Sequence, residues 1–227
     1  MRCHVAFTPA EAVPAPLGIV VDVMRASSTI VQALASGYER VLCCAEIEDA
    51  RALKAELGNA AITGGEREAQ RIEGFDAGAS PREFREPQAE TLILSTTNGT
   101  RTIVAAAEAC GEVVLGSLLN LDAVARLARE RGEDTVLLCA GYKDAFAIDD
   151  AYCAGRIVAL LEAGRTDAAI AAALIADRFP DPVEGINART YGPPGLEEDI
   201  AWVAQVDLLD AVPRFARMVG AAAEITL

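Results

Sequence analysis

The sequence predicts an α/β fold: a three-layer α/β/α sandwich around a mostly parallel or mixed sheet. Apolar runs of strand length alternate with helical patterns through most of the 227 residues. That alternation builds strands joined by crossover helices. The runs are β-branched and apolar on both faces, as strands are when helices cover both sides of a sheet. The helical patterns are rich in alanine, which lets them pack closely onto it.

An apolar strand over residues 17–23 leads into a helix over 28–36, and a strand over 40–44 into a helix over 46–57. Residues 63–90 then break the rhythm with Gly64-Gly65-Glu66-Arg67 and a stretch from Gly74 to Pro81. A long segment of this kind without low-complexity bias reads as a structured loop. Strand and helix resume at 91–94 and 101–110, at 112–115 and 121–131, and at 135–139 and 148–163. A second break over 178–196 contains Pro180, Pro182, Pro193 and Pro194, and serves as a lid or as a linker to a last helix over 197–209. The expectation is one domain over 1–227, with room for a two-lobed organisation divided near residues 85–92. Ser28-Thr29-Ile30-Val31 is faintly echoed by Arg101-Thr102-Ile103-Val104, a match that chance produces easily in such helices.

The formal net charge of −14 argues against nucleic acid, which requires basic clusters. It does not argue against a small anion, because a local arginine pocket outweighs a diffuse acidic surface at short range. No signal peptide is recognisable, and no apolar run approaches the ~18 residues of a membrane helix. The expected location is therefore cytoplasmic, away from membranes. The six cysteines read as reduced, buried thiols. An apolar content of 52% with few aromatics is compatible with a homodimer.

Two strand ends carry similar polar chemistry. Ile19-Val20-Val21 stops at Asp22-Val23-Met24-Arg25-Ala26-Ser27-Ser28-Thr29, and Leu92-Ile93-Leu94 stops at Ser95-Thr96-Thr97-Asn98-Gly99-Thr100-Arg101. Strand ends that open helices gather backbone N–H groups, hydroxyls and guanidinium groups into an anion site. Elimination narrows the chemistry. His4 is the only histidine, and no Gly-x-Ser-x-Gly elbow exists for a serine triad. No cysteine is followed six residues later by arginine, and neither a P-loop nor a Gly-x-Gly-x-x-Gly is present. Carboxylates remain: Asp22, Glu66, Asp76, Asp144, Asp149 and Asp150. Oxygen donors of this kind suit Mg²⁺, which keeps several waters and bridges to phosphate. Each signal also has a plain structural reading. Asp149 and Asp150 would favour a helix dipole without any function. Asn98-Gly99 is a common turn pair, Gly64 to Arg67 would fit a surface turn, and Arg25 would cap a helix.

Taken in order, these motifs resemble the 2-phosphosulfolactate phosphatase (ComB) family. The resemblance rests on Asp22 to Thr29, Gly64 to Arg67, Thr96-Thr97-Asn98-Gly99-Thr100-Arg101, Gly116-Ser117-Leu118-Leu119-Asn120, and Cys139-Ala140-Gly141 followed by Asp149-Asp150. It runs from about residue 19 to 160, and the segment from Trp202 to Asp207 also fits. One departure is Gly78-Ala79-Ser80-Pro81, where the family pattern has Gly-Asn-Ser-Pro. The resemblance implies an α/β, Mg²⁺-dependent acid phosphatase that removes phosphate from 2-phospho-3-sulfolactate, a step toward coenzyme M. On that reading Asp22, Arg25 and Asp150 are catalytic, and Asp22, Glu66, Asp149 and Asp150 are the candidate metal ligands. Ser28, Thr29, Arg67, Thr97, Asn98, Gly99 and Arg101 would bind substrate. Attack by metal-activated water is favoured, with an aspartyl intermediate left open. Two alternatives stand beside it: a non-catalytic domain that binds small anions, and a phosphatase for another phosphorylated hydroxy acid.

Overall fold

The structure, a computed structural model, describes residues 1–190 and 194–227. Its first half comprises β1 (Arg2–Ala6), β2 (Ala15–Val21), α1 (Ala26–Ala35), β3 (Arg40–Cys44), α2 (Ile47–Leu57), β4 (Ala61–Arg67), β5 (Gln70–Arg71) and β6 (Thr91–Ser95). The chain continues through α3 (Gly99–Ala109), β7 (Cys110–Gly116), α4 (Leu121–Arg131), β8 (Thr135–Cys139), α5 (Ile148–Leu160) and β9 (Gly164–Arg165). It finishes with α6 (Asp167–Arg178), α7 (Pro182–Asn187), α8 (Glu197–Val203), β10 (Arg214–Val219) and β11 (Ala222–Thr226).

The strands form a mixed sheet in the order β5-β4-β6-β3-β11-β10-β7-β2-β8-β1-β9. Strands β4, β6 and β3 run parallel, as do β7, β2, β8, β1 and β9. Between the two blocks lies the antiparallel hairpin β10–β11, paired to β7 on one side and β3 on the other. The blocks therefore run in opposite directions, yet their carboxyl ends meet: Asn98 after β6 donates from Nδ2 to the Gly141 carbonyl after β8, at 3.2 Å. Sheet twist accounts for this. At about 20–25° per step, the five steps from β6 to β2 turn one block toward the other.

Alternate residues of each strand point to opposite faces. Val20, Val41, Cys43, Leu94 and Leu115 meet Ile30, Leu34, Ile103 and Ala106 of α1 and α3. On the other face, Ile19, Val21, Leu137 and Cys139 meet α4, α5 and α6, and Leu42, Cys44 and Ile93 meet Ala50 of α2. These are the three layers the sequence predicts.

Several boundaries differ from the sequence reading. The segment beginning at residue 63 contains most of β4 and all of β5, hidden by a glycine pair that is a poor strand signal. Close approach requires that pair: a Cβ on Gly65 would lie 2.3 Å from the Ser95 carbonyl, and one on Gly64 2.7 Å from the Phe84 ring. The break over 178–196 holds α7, opened by Asp181, whose carboxylate accepts the Val183 N–H, with Pro182 in the first turn. Pro193, also part of that expectation, lies outside the described residues. The last helix stops at Val203, short of 209. Helix α6 and the hairpin β10–β11 were not anticipated. Helix α6 packs so closely on α5 that a Cβ on Gly155 would lie 2.0 Å from the Ala172 carbonyl. Gly155→Ala is therefore expected to destabilise by ~1–3 kcal/mol, read as a lower denaturant midpoint; an unchanged midpoint would refute this packing.

Candidate active site

Three helices, α1, α3 and α5, begin at a single cleft, which is walled by the segments that follow β2, β6 and β8. Converging N-termini favour anions there through aligned dipoles. Asp22 ends β2 by turning its hydrogen bonds onto α1. Its Oδ1 accepts the Ala26 N–H at 3.2 Å, and its carbonyl accepts the N–H and hydroxyl of Ser27 at 2.9 and 2.8 Å. Its other oxygen faces α3, where a Cβ on Gly99 would lie 2.9 Å from Asp22 Oδ2 and 2.3 Å from Ala26 Cβ. Glycine at position 99 is thus needed for close approach, whatever turn it also makes.

Asp150 joins two strand ends, with Oδ1 accepting from the Val23 N–H at 2.8 Å and Oδ2 from the Gly141 N–H at 3.0 Å. Asp149 precedes it in the first turn of α5, and its Oδ1 accepts the Asp150 N–H at 3.1 Å. Glu66 approaches from β4. Its Oε1 accepts the N–H and hydroxyl of Thr97 at 3.1 and 2.9 Å, and its Oε2 accepts the Ala69 N–H at 2.7 Å.

Asp22, Glu66, Asp149 and Asp150 therefore face one cleft. Burial pushes the Asp22 carboxyl up to about 7; the charges of Glu66 and Asp149 push the same way, against the Ala26 N–H and Arg25. Burial also drives Asp150 well above the ordinary carboxylate range, with Asp149 and Asp22 adding to it. Cysteine offers no comparable reactivity, because burial pushes the Cys139 and Cys153 thiols up. Among the described residues, no group of three or more His, Cys, Asp or Glu is arranged to hold a metal ion by itself.

The remaining expected residues divide. Arg25, Thr97 and Asn98 line the cleft. Arg25, however, is buried and paired with Asp199 of α8 at 2.7 Å. Thr97 and Asn98 spend their hydroxyl and amide donors on Glu66 and Gly141. Ser28 and Thr29 lie beneath the cleft, fully buried. Ser28 bonds the Val23 carbonyl and the Ser117 hydroxyl, and Thr29 the Ala79 carbonyl. Arg67 turns away to the Ala45 carbonyl and the Ser95 hydroxyl, and Arg101 is exposed outside the cleft. Asp76 caps Thr63, which holds its carboxyl below the usual range, and is likewise absent from the cleft.

The structure adds Glu68, Lys143 and Arg189 to the lining, with Asp199 behind Arg25. Asp199 lies 174 residues from its partner, so no local pattern could have announced it. Ala79, at the departure from the family pattern, stands on the cleft wall.

Residues 4–217 match the family model described as 2-phosphosulpholactate phosphatase. The chain belongs to this family. It is 36% identical over 234 residues to a probable 2-phosphosulfolactate phosphatase of Thermus thermophilus, covering 98% of each chain. It is 36% identical over 217 residues to one of Clostridium acetobutylicum, covering 90% of this chain and 92% of that one. A Gloeobacter violaceus relative with the same description is 35% identical over 226 residues. Membership in this phosphatase family makes the protein a hydrolase acting on a small phosphate ester. Among the described residues, no helix is long and apolar enough to cross a membrane.

Proposed function

We propose that the protein hydrolyses 2-phospho-3-sulfolactate to 3-sulfolactate and phosphate, with Mg²⁺ as cofactor. What carries this reading is the meeting of Asp22, Glu66, Asp149 and Asp150 with the N-termini of three helices in one cleft. The relatives' descriptions supply the substrate.

The residues fit Mg²⁺ by donor chemistry. The ion is bound through one or two carboxylates, with waters and substrate phosphate completing its shell, so a protein cage of three ligands is not required. Crowded carboxylates that raise one another's proton affinity would be relieved by a divalent cation. Asp149 and Glu66 would hold it, which leaves Asp22 for proton transfer; Asp150, which accepts from the Val23 and Gly141 N–H groups, chiefly fixes the strand ends. When bound, the ion polarises a phosphoryl oxygen and offsets charge developing in the transition state.

This chain's own groups do the rest. The phosphate would sit over the α1 and α3 N-termini, where Gly99 lets the backbone come close. Asp22, poised near neutrality, is suited to take a proton from attacking water, since a general base works best near the operating pH. Asn98 and Gly141 lock the two blocks together at this point.

The test is phosphate release from 2-phospho-3-sulfolactate, phospholactate and phosphoglycolate, each with Mg²⁺ and with chelator. Preferred turnover of the sulfonated ester, lost with chelator and restored by Mg²⁺, is expected. No release from any ester would leave a non-catalytic anion-binding domain, and preference for another ester would reassign the substrate.

A further inference from the structure

We propose that Lys143 reads the anionic group a substrate carries beside its phosphate, and that Glu68 holds this lysine when the cleft is empty; this rests on the phosphatase reading above. Two hairpin tips face each other across the cleft mouth. Glu68 and Ala69 join β4 to β5 with φ of 53° and 61°. Lys143 and Asp144 turn the chain between Tyr142 and Ala145 with φ of 50° and 60°. Two-residue turns of this hand ordinarily use asparagine and glycine. Here four side-chain-bearing residues occupy left-handed backbone, a conformation that collects at functional sites when the surroundings hold it.

The tips are joined by one ion pair, Lys143 Nζ to Glu68 Oε1 at 3.6 Å, with side chains 61% and 81% exposed. A pair so exposed is weak and readily exchanged. Arg25 differs: its side chain is buried against Asp199 at 2.7 Å, and moving it would leave that buried carboxylate only the distant Arg82, at 4.0 Å. The cleft lining carries Asp22, Glu66, Glu68, Asp149 and Asp150 against Arg25, Lys143 and Arg189. An anionic tail entering this acid-rich cleft needs a cation at the mouth, away from the buried carboxylates. Lys143 meets that need, and the Tyr142 ring, 5.5 Å from Nζ, steadies it. A sulfonate oxygen would replace Glu68 on the ammonium, one ion pair for another with no proton transferred. A neutral tail gives no such exchange.

The experiment compares kcat/KM for 2-phospho-3-sulfolactate with that for phenyl phosphate, whose tail is neutral, in the wild type, Lys143→Met, Lys143→Arg and Glu68→Gln. Lys143→Met is expected to lower the ratio of the two at least tenfold through KM for the sulfonated ester. Lys143→Arg should restore most of it, and Glu68→Gln should raise it. A ratio that stays within twofold in Lys143→Met overturns the proposal, as does equal loss with both esters. If the wild type hydrolyses neither ester, the phosphatase reading fails. Calorimetric binding of 3-sulfolactate against lactate then decides the role of Lys143: undiminished preference for 3-sulfolactate in Lys143→Met overturns it, and lost preference supports it.

Discussion

Asp22→Asn is expected to lower phosphate release by about 10²–10⁴-fold while making the protein more stable at neutral and alkaline pH. Both effects have one origin. The Asp22 carboxyl is raised from 3.8 to about 7, first by burial and then by neighbouring carboxylates. The native state holds this proton more tightly than the unfolded chain does. Stability from this group is therefore fully present below about pH 4, and is lost as pH rises through about 7. The rise corresponds to at most ~4 kcal/mol. Asparagine keeps an oxygen for the Ala26 N–H and carries no charge. Thermal melting of both proteins from about pH 4 to 8 should show curves that coincide in acid and diverge toward alkali, with the variant higher. Identical curves would refute the buried-charge account, and near wild-type phosphate release with Mg²⁺ would remove Asp22 from the chemistry.

Arg25→Ala should cost ~3–5 kcal/mol of stability, as is typical when a buried ion pair loses one member. The guanidinium donates to Asp199 at 2.7 Å and reaches the Ala69 carbonyl at 3.4 Å, which ties α8 to the loop after β4. Asp199 also accepts the Ser80 hydroxyl at 2.5 Å and keeps a looser, more exposed ion pair with Arg82 at 4.0 Å, which offsets only part of its charge. Adding Asp199→Ala to Arg25→Ala should recover part of the loss, because the buried carboxylate left with only the distant Arg82 is then removed. Denaturant melts of the wild type, both single variants and the double variant measure this directly. Strictly additive losses would show that the two side chains do not depend on each other.

These two residues illustrate what was legible in the sequence. Asp22 was visible because an apolar strand ends abruptly in an acid, a strictly local pattern. Arg25 was visible as a residue but not as a role, because its partner lies in α8 and only tertiary packing introduces them. The same holds for Ser28 and Thr29, whose hydroxyls suggest a ligand yet bond Val23, Ser117 and Ala79 below the cleft. Strands β3 and β8 match their expected bounds because they are buried on both faces, so their composition alone marks them. Strand β4 escaped because glycines required by close packing erase that composition. Strands β10 and β11 carry charges such as Arg217 and Glu224, which pair with each other at 2.7 Å and mask the strand pattern.

The position of that hairpin has a consequence for biosynthesis. Residues 214–226 are inserted between β7 and β3, and Ala223 pairs with Cys43, far earlier in the chain. A ribosome delivers residues 40–116 long before their central partner exists. Until then each block exposes a naked strand edge, the kind of surface that recruits other chains. Closure of such long loops is slow. Translation of this protein should therefore pass through a window in which nascent chains depend on chaperones, ending only when its last strands emerge.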